Sequence, residues 1–337
     1  MAIDFPTSPT LGQQYTFNGV TYVFTAQGVW ATAGASAIAV INGSPQGRLT
    51  LQTLTPVMTT TQPAKTTIFY TPYVGNRVPI YDGTSMVMTT FAELSVATTD
   101  ATKSPAAIGA SKVNDWFVWS DAGTVRIGHG PDWTSDTARS AGTALTMVNG
   151  ILLNNASITN GPAASRGTYV GTTRSNASSQ LDWTFGTFGA AAGTALLGVW
   201  NCYNRRPVST TTGTTTANWT YATAAWRGPG GGTTMFVSYV AGLAEDVVEA
   251  VYQVIGNGAA SQQGSGAIGI DTFTAPSGLY AMTNDSVAIG PIMGSYAGIP
   301  GLGFHSLNAI EYASGATFTF YGAAVNFQGG LKVTLWA

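Results

Sequence analysis

Along nearly its whole length this chain is cut into short runs of β-branched and aromatic residues, each ended within a few positions by Gly, Pro, Asn-Gly or Asp-Gly. A stable helix needs roughly ten or more residues with apolar side chains three and four apart, whereas these runs are shorter and punctuated. Residues 48–51, 67–70, 114–119, 125–128, 168–170, 181–185, 235–240, 317–321 and 332–336 therefore read as strands. Asn18-Gly19 and Asp121-Ala122-Gly123 supply the positive φ angles of tight hairpins. Residues 72–83 hold two prolines with Gly-Asn and Asp-Gly, which suits edge strands and turns. At 244–252 two structures compete: the β-branched composition favours a strand, while the carboxylates at 245, 246 and 249 have helical spacing. The fold class that follows is all-β.

The runs divide into three parts. In residues 1–34, Tyr15 and Phe17 alternate with polar residues up to Asn18-Gly19, Tyr22 and Phe24 do so up to Ala26-Gln27-Gly28, and Val29-Trp30 open a third run. That pattern is a small N-terminal β meander, and about thirty residues bury too little surface to be stable alone, so the module is expected to dock on something larger. Small residues followed by Asn42-Gly43-Ser44-Pro45 mark a linker at 35–46. A Gly- and Ala-rich stretch at 186–193 marks a second boundary, giving a β-rich middle domain at 47–190 and a C-terminal β-sandwich of jelly-roll type at 191–337.

Charge narrows the partners. Only 8% of residues are charged and the net charge is −2, so the surface must be covered by hydroxyls and amides, and no basic face is offered to nucleic acid or to an anionic membrane. No run of about 18 apolar residues and no basic leader before an apolar stretch is present, so neither membrane insertion nor conventional export is expected. The lone Cys202 allows no disulfide within the chain and reads as a small buried apolar residue.

Candidate chemistry is thin. Gly264, Gly266 and Gly269 match a bare dinucleotide-loop spacing, but polar Ser261-Gln262-Gln263 precedes them and no helix follows, so no cofactor is expected. His129, Asp132 and Asp136 are near one another, yet short polar side chains around Pro131 suit turn capping better than metal ligation. Glu245, Asp246 and Glu249 are the densest acids, but glycosidase carboxylates face each other across a groove, which sequence neighbours rarely do. His305 reads as a packed residue. Trp219, Tyr221 and Trp226 alternate with small residues and are candidate glycan contacts, with core packing as the competing role.

Several segments together resemble one family. Phe5-Pro6 and the run from Gly12 to Trp30 resemble the N-terminal signature of tailed-bacteriophage structural proteins. Residues 55–58, 70–83, 130–139, 148–150, 158–164 and 166–172 look like a widespread virion-protein region, and Trp200 to Arg205, Trp219 to Tyr221 and Ala225 to Arg227 are similar again. The resemblance implies a non-enzymatic virion structural protein, made in the bacterial cytoplasm, of tail-fibre, spike or head-fibre type, attached to other virion proteins through Phe5, Pro6, Tyr15, Phe17, Tyr22, Phe24 and Trp30. A homotrimer is expected, since it buries aromatic surplus and closes strand edges. The C-terminal domain is then expected to meet host surface polysaccharide. A capsid cement or decoration protein is the alternative, and a glycan-degrading spike a lesser one.

Overall fold

The computed structural model describes residues 3–26, 28–32, 43–188, 195–259, 261–283, 288–324 and 327–337. The chain forms two compact units, Met1–Asn42 and Gly43–Ala337. The core of the expected linker, residues 35–42, lies outside the described residues.

The first unit is an antiparallel meander of Gln14–Phe17, Val20–Phe24 and Trp30–Thr32. Its first turn has Asn18 and Gly19 at φ 48° and 78°, the left-handed pair that matches strand twist in a two-residue hairpin. The same device recurs in the second unit at Ala122-Gly123 and at Asn149-Gly150.

The second unit is all-β, with two short 3₁₀ turns among its described residues. Gly47–Thr50, Thr67–Pro72 and Leu94–Ala97 make a three-stranded sheet, and Arg77–Tyr81 forms a hairpin with Met86–Thr90. A six-stranded sheet follows, ordered Thr124–His129, Val113–Asp121, Thr168–Arg174, Ile151–Asn154 and Leu145–Val148, with Val199–Asn201 also paired to Thr168–Arg174. The largest sheet runs Pro207–Gly213, Gly330–Trp336, Val248–Gly258, Gly290–Gly298, Leu279–Thr283, Gly264–Ile270, Gly303–Ala313, Phe236–Ala241, Ala195–Leu197, Leu181–Thr184, Gln62–Lys65. Leu279–Thr283 pairs on both sides, and around it the sheet folds back on itself as a sandwich: a Cβ placed on Gly266 in one layer would meet Tyr252 and Ile292 of the other. Val248–Gly258 alternates between buried and outward residues as far as Asn257, so the ambiguous 244–252 segment is turn followed by strand.

The middle and C-terminal parts lie in one compact unit. Leu181–Thr184 pairs antiparallel with Ala195–Leu197, so the Gly/Ala-rich stretch joins two neighbouring strands, and Thr168–Arg174 pairs with Val199–Asn201 across the same point. Residues 189–194 of that stretch lie outside the described residues. Side chains reinforce the union. The Asn201 carboxamide oxygen accepts from the Leu49 amide at 2.6 Å, and Arg48 donates to the carbonyls of Pro56, Asn204 and Ala337.

Asp115, fully shut from water on the strand Val113–Asp121, is paired with Arg139 at 2.7 Å and accepts from the Thr172 hydroxyl at 2.6 Å. Arg139 also lies over the Trp133 ring and donates to the Gly242 carbonyl at 2.5 Å, beyond the strand Phe236–Ala241. Burial pushes the Asp115 carboxyl up, against the pull of Arg139.

Gly171 sits where the pairing of Val113–Asp121 with Thr168–Arg174 shifts register, and a Cβ there would lie 2.2 Å from the Trp200 carbonyl oxygen. Gly171→Ala is expected to cost about 3 kcal/mol, roughly 5 °C in Tm, because a backbone atom cannot step aside. Gly123→Ala, in open space at φ 87°, is expected to lose only about 1 kcal/mol. Thermal denaturation of the two variants checks the ranking.

Candidate functional site

The residues with candidate binding roles gather at two places, one in each unit. In the first, pairing sets Tyr15 opposite Tyr22 and Phe24 opposite Trp30, so these rings and Phe17 project from one face of the meander. Phe5 lies across that face, stacked on Trp30 at 5.2 Å and edge-on to Tyr15 at 5.6 Å and Tyr22 at 5.1 Å. The opposite face is polar, with Thr16 and Thr21 hydroxyls 2.9 Å apart. Pro6 and Phe17 are half-buried, and no described residue of this module is fully buried. One layer of strands capped by one ring leaves the aromatic face incompletely covered.

In the second unit, Asn218–Tyr221 pairs with Phe318–Tyr321, which pairs in turn with Val248–Gly258. Trp219 stacks on buried Phe320 at 6.2 Å, and its indole N–H donates to Glu311 Oε2 at 2.6 Å. Arg227 exchanges two main-chain hydrogen bonds with Glu311, at 3.0 and 2.8 Å, and its guanidinium meets Glu311 Oε1 at 2.7 Å. The same guanidinium lies 3.6 Å over the Tyr221 ring, whose hydroxyl donates to the Ala225 carbonyl. The Gly230 amide adds a third donor to the carboxylate at 3.2 Å. Trp219 and Tyr221 thus fasten the loop that carries Arg227 onto the strand Gly303–Ala313.

Trp226 has a different place. Neighbours on an extended chain point to opposite sides, so where Arg227 turns to Glu311, Trp226 turns to Tyr312. It meets Tyr312 at 5.4 Å and the exposed Tyr280 edge-on at 5.0 Å, forming an aromatic corner held rigidly from behind by the Glu311–Arg227 pair. Of the three candidate glycan contacts, only Trp226 belongs to this corner; Tyr280 and Tyr312 complete it and carry no motif in the sequence. Glu311 was also missed. Its signal is the alternation of its own strand: Ala309 and Ala313, two residues away on either side, are core residues, so an acid between them faces the interior.

Glu311 is fully buried, and burial pushes its carboxyl up to about 7 against the donors from Trp219, Arg227 and Gly230. The unpartnered Tyr252 hydroxyl shares that interior, and burial, with the Glu311 charge second, holds it protonated. A glycosidase acid needs an opposing carboxyl about 5–10 Å away across an open groove. Glu311 instead has both oxygens occupied by structural donors.

The other candidates are dispersed. His129 Nδ1 is 2.7 Å from the Gly130 carbonyl, Asp132 accepts from Asn114 at 2.7 Å, and Asp136 pairs with Arg174 at 3.3 Å. No group of three potential metal ligands occurs among the described residues. Glu245 and Asp246 both take Arg205 at 2.6 Å, while Glu249 points outward from its strand. The Gly264, Gly266 and Gly269 spacing lies within the sandwich strand Gly264–Ile270. His305 Nδ1 is 2.8 Å from Asp271 and its ring lies against Tyr239; Cys202 is buried.

Because the folded chain holds the Glu311 proton more tightly than an unfolded one, this group stabilises the fold below pH about 4.5, and that contribution is lost as pH rises through about 7. Arg227→Met removes the partner of the buried carboxylate. It is expected to cost about 3 kcal/mol or more at pH 8 and much less at pH 5, where the acid is protonated. Denaturant unfolding at the two pH values checks it, and an equal loss at both would separate Arg227 from the charge of Glu311.

Compared with known protein families, with curated proteins and with solved structures, the chain has no match.

Proposed function

We propose that this chain is a non-enzymatic structural subunit of a tailed-bacteriophage particle, attached through residues 1–34 and presenting its large β unit to the bacterial surface as a homotrimer. The observation that carries this reading is the division of the chain. A 30-residue meander has an aromatic face of Phe5, Tyr15, Tyr22, Phe24 and Trp30 but no fully buried described residue, and a separate β unit holds its own extensive core. A module that cannot complete its core alone completes it on a partner. The resemblance of its sequence to the N-terminal signature of virion proteins supplies the kind of partner.

A surface of few charges and many hydroxyls suits a particle that persists outside cells, and the aromatic corner of Trp226, Tyr280 and Tyr312 offers ring faces on which sugars stack. A subunit that bridges capsomers would share the two-part division. Imaging the particle separates that alternative, by locating the chain on the head lattice or on an appendage.

Deletion of residues 1–34 is expected to abolish incorporation into particles while leaving the circular dichroism of the large unit unchanged; incorporation at the full level would remove the anchor role. Trp226→Ala is expected to weaken binding of the purified protein to host cells at least about tenfold. Phe304→Ala, away from the corner, is the control for general loss of packing.

A further inference from the structure

One outward face of the sandwich carries large apolar side chains among small polar ones. Pairing of Pro207–Gly213, Gly330–Trp336, Val248–Gly258, Gly290–Gly298 and Leu279–Thr283 aligns a row Thr211, Lys332, Val251, Ser295, Leu279 across five strands. On the same face, Glu249 and Met293 lie one row away on either side and Trp336 two rows away. Leu279 is 80% exposed, Met293 54% and Trp336 47%, values unusual for large apolar side chains fixed on regular strands.

We infer that this five-strand face is the surface through which copies of this chain associate, and so deepen the assembly part of the preceding reading. Two features select a second copy over other occupants. Ring surface that would stack sugars is limited here to Trp336 at one end and half-buried Tyr296 in the groove, and the single cation Lys332 is balanced by the single acid Glu249, which disfavours nucleic acid and anionic lipid. The charges are also self-complementary. Glu249 and Lys332 sit one row apart on adjacent strands, both exposed, and neither takes part in an ion pair among the described residues. A three-fold rotation brings Glu249 of each copy to Lys332 of the next, with Val251, Leu279 and Met293 closed about the axis. Serine, threonine and alanine fill most of the remaining positions beside Gln253 and Pro291, so strands of two copies can approach closely. A groove lined by Glu249, Val251, Ser277, Leu279 and Ser295 receives the protruding side chains.

Sedimentation of the full chain tests the inference. The wild type is expected to be oligomeric at micromolar concentration, and Leu279→Asp with Met293→Asp is expected to give a monomer whose near-ultraviolet circular dichroism and Tm are unchanged. Glu249→Lys alone and Lys332→Glu alone are each expected to weaken association about tenfold or more, and the two together to restore it. A wild-type monomer at every concentration overturns both the surface and the homotrimer, leaving attachment through residues 1–34 to stand or fall on particle incorporation. An oligomer that survives the aspartate pair, or charge reversals without rescue, overturns the surface while the oligomer stands.

Discussion

The fold of the large unit turns on one buried charge. Asp115 lies on a central strand with no access to water, where an isolated carboxylate would cost several kcal/mol. Arg139 meets that cost, and the geometry that lets it do so ties distant parts of the chain together. The loop carrying Arg139 is held over Trp133, Thr172 reaches the carboxylate from the next strand, and the guanidinium ends on the Gly242 carbonyl beyond Phe236–Ala241. Removing either charge strands the other, so the six-stranded sheet and the sandwich are obliged to keep one relative register.

The same logic recurs with the few cations the chain has. Arg48, Arg139, Arg166, Arg174, Arg205 and Arg227 each lie over an aromatic ring, at 3.6 to 5.7 Å from its centroid. A guanidinium is planar and weakly hydrated, so it can be stacked and half-buried while its edge still donates hydrogen bonds. In a protein with little charge to spare, arginine serves as a rivet between a ring and the carbonyls or carboxylates beyond it. The Glu311–Arg227–Tyr221 group is one of these rivets, and its work is to hold a loop so that Trp226 has a fixed position.

Local structure was legible where a residue type has one conformational use. Asn18-Gly19 and the Asp121-to-Gly123 turn gave hairpins, and the alternation around Tyr15, Tyr22 and Trp30 gave the meander, because those signals act over a few residues. The strand at 248–258 followed from β-branched composition even with carboxylates at helical spacing nearby. Partnership across the chain was not legible. A Gly/Ala-rich stretch looks the same as a linker or as the join between paired strands, and only the pairing of Leu181–Thr184 with Ala195–Leu197 distinguishes them. At the candidate site, Trp226 was visible as an aromatic among small residues, but its companions Tyr280 and Tyr312 come from strands far along the chain. Glu311 carries its meaning through Arg227, Trp219 and Gly230, none of which is near it in sequence.

Sheet order also dictates when this chain can fold. Gly330–Trp336 is inserted between Pro207–Gly213 and Val248–Gly258, and Arg48, near the start of the unit, closes on the Ala337 carbonyl. While a ribosome is still making residues after 258, the two flanking strands lack the neighbour that belongs between them and present open edges in a crowded cytoplasm. The large unit therefore completes itself only once residues 330–337 have left the ribosome, in a slow step set by non-local pairing. Until then its nascent strands are exposed to the wrong partners, above all to other copies of themselves.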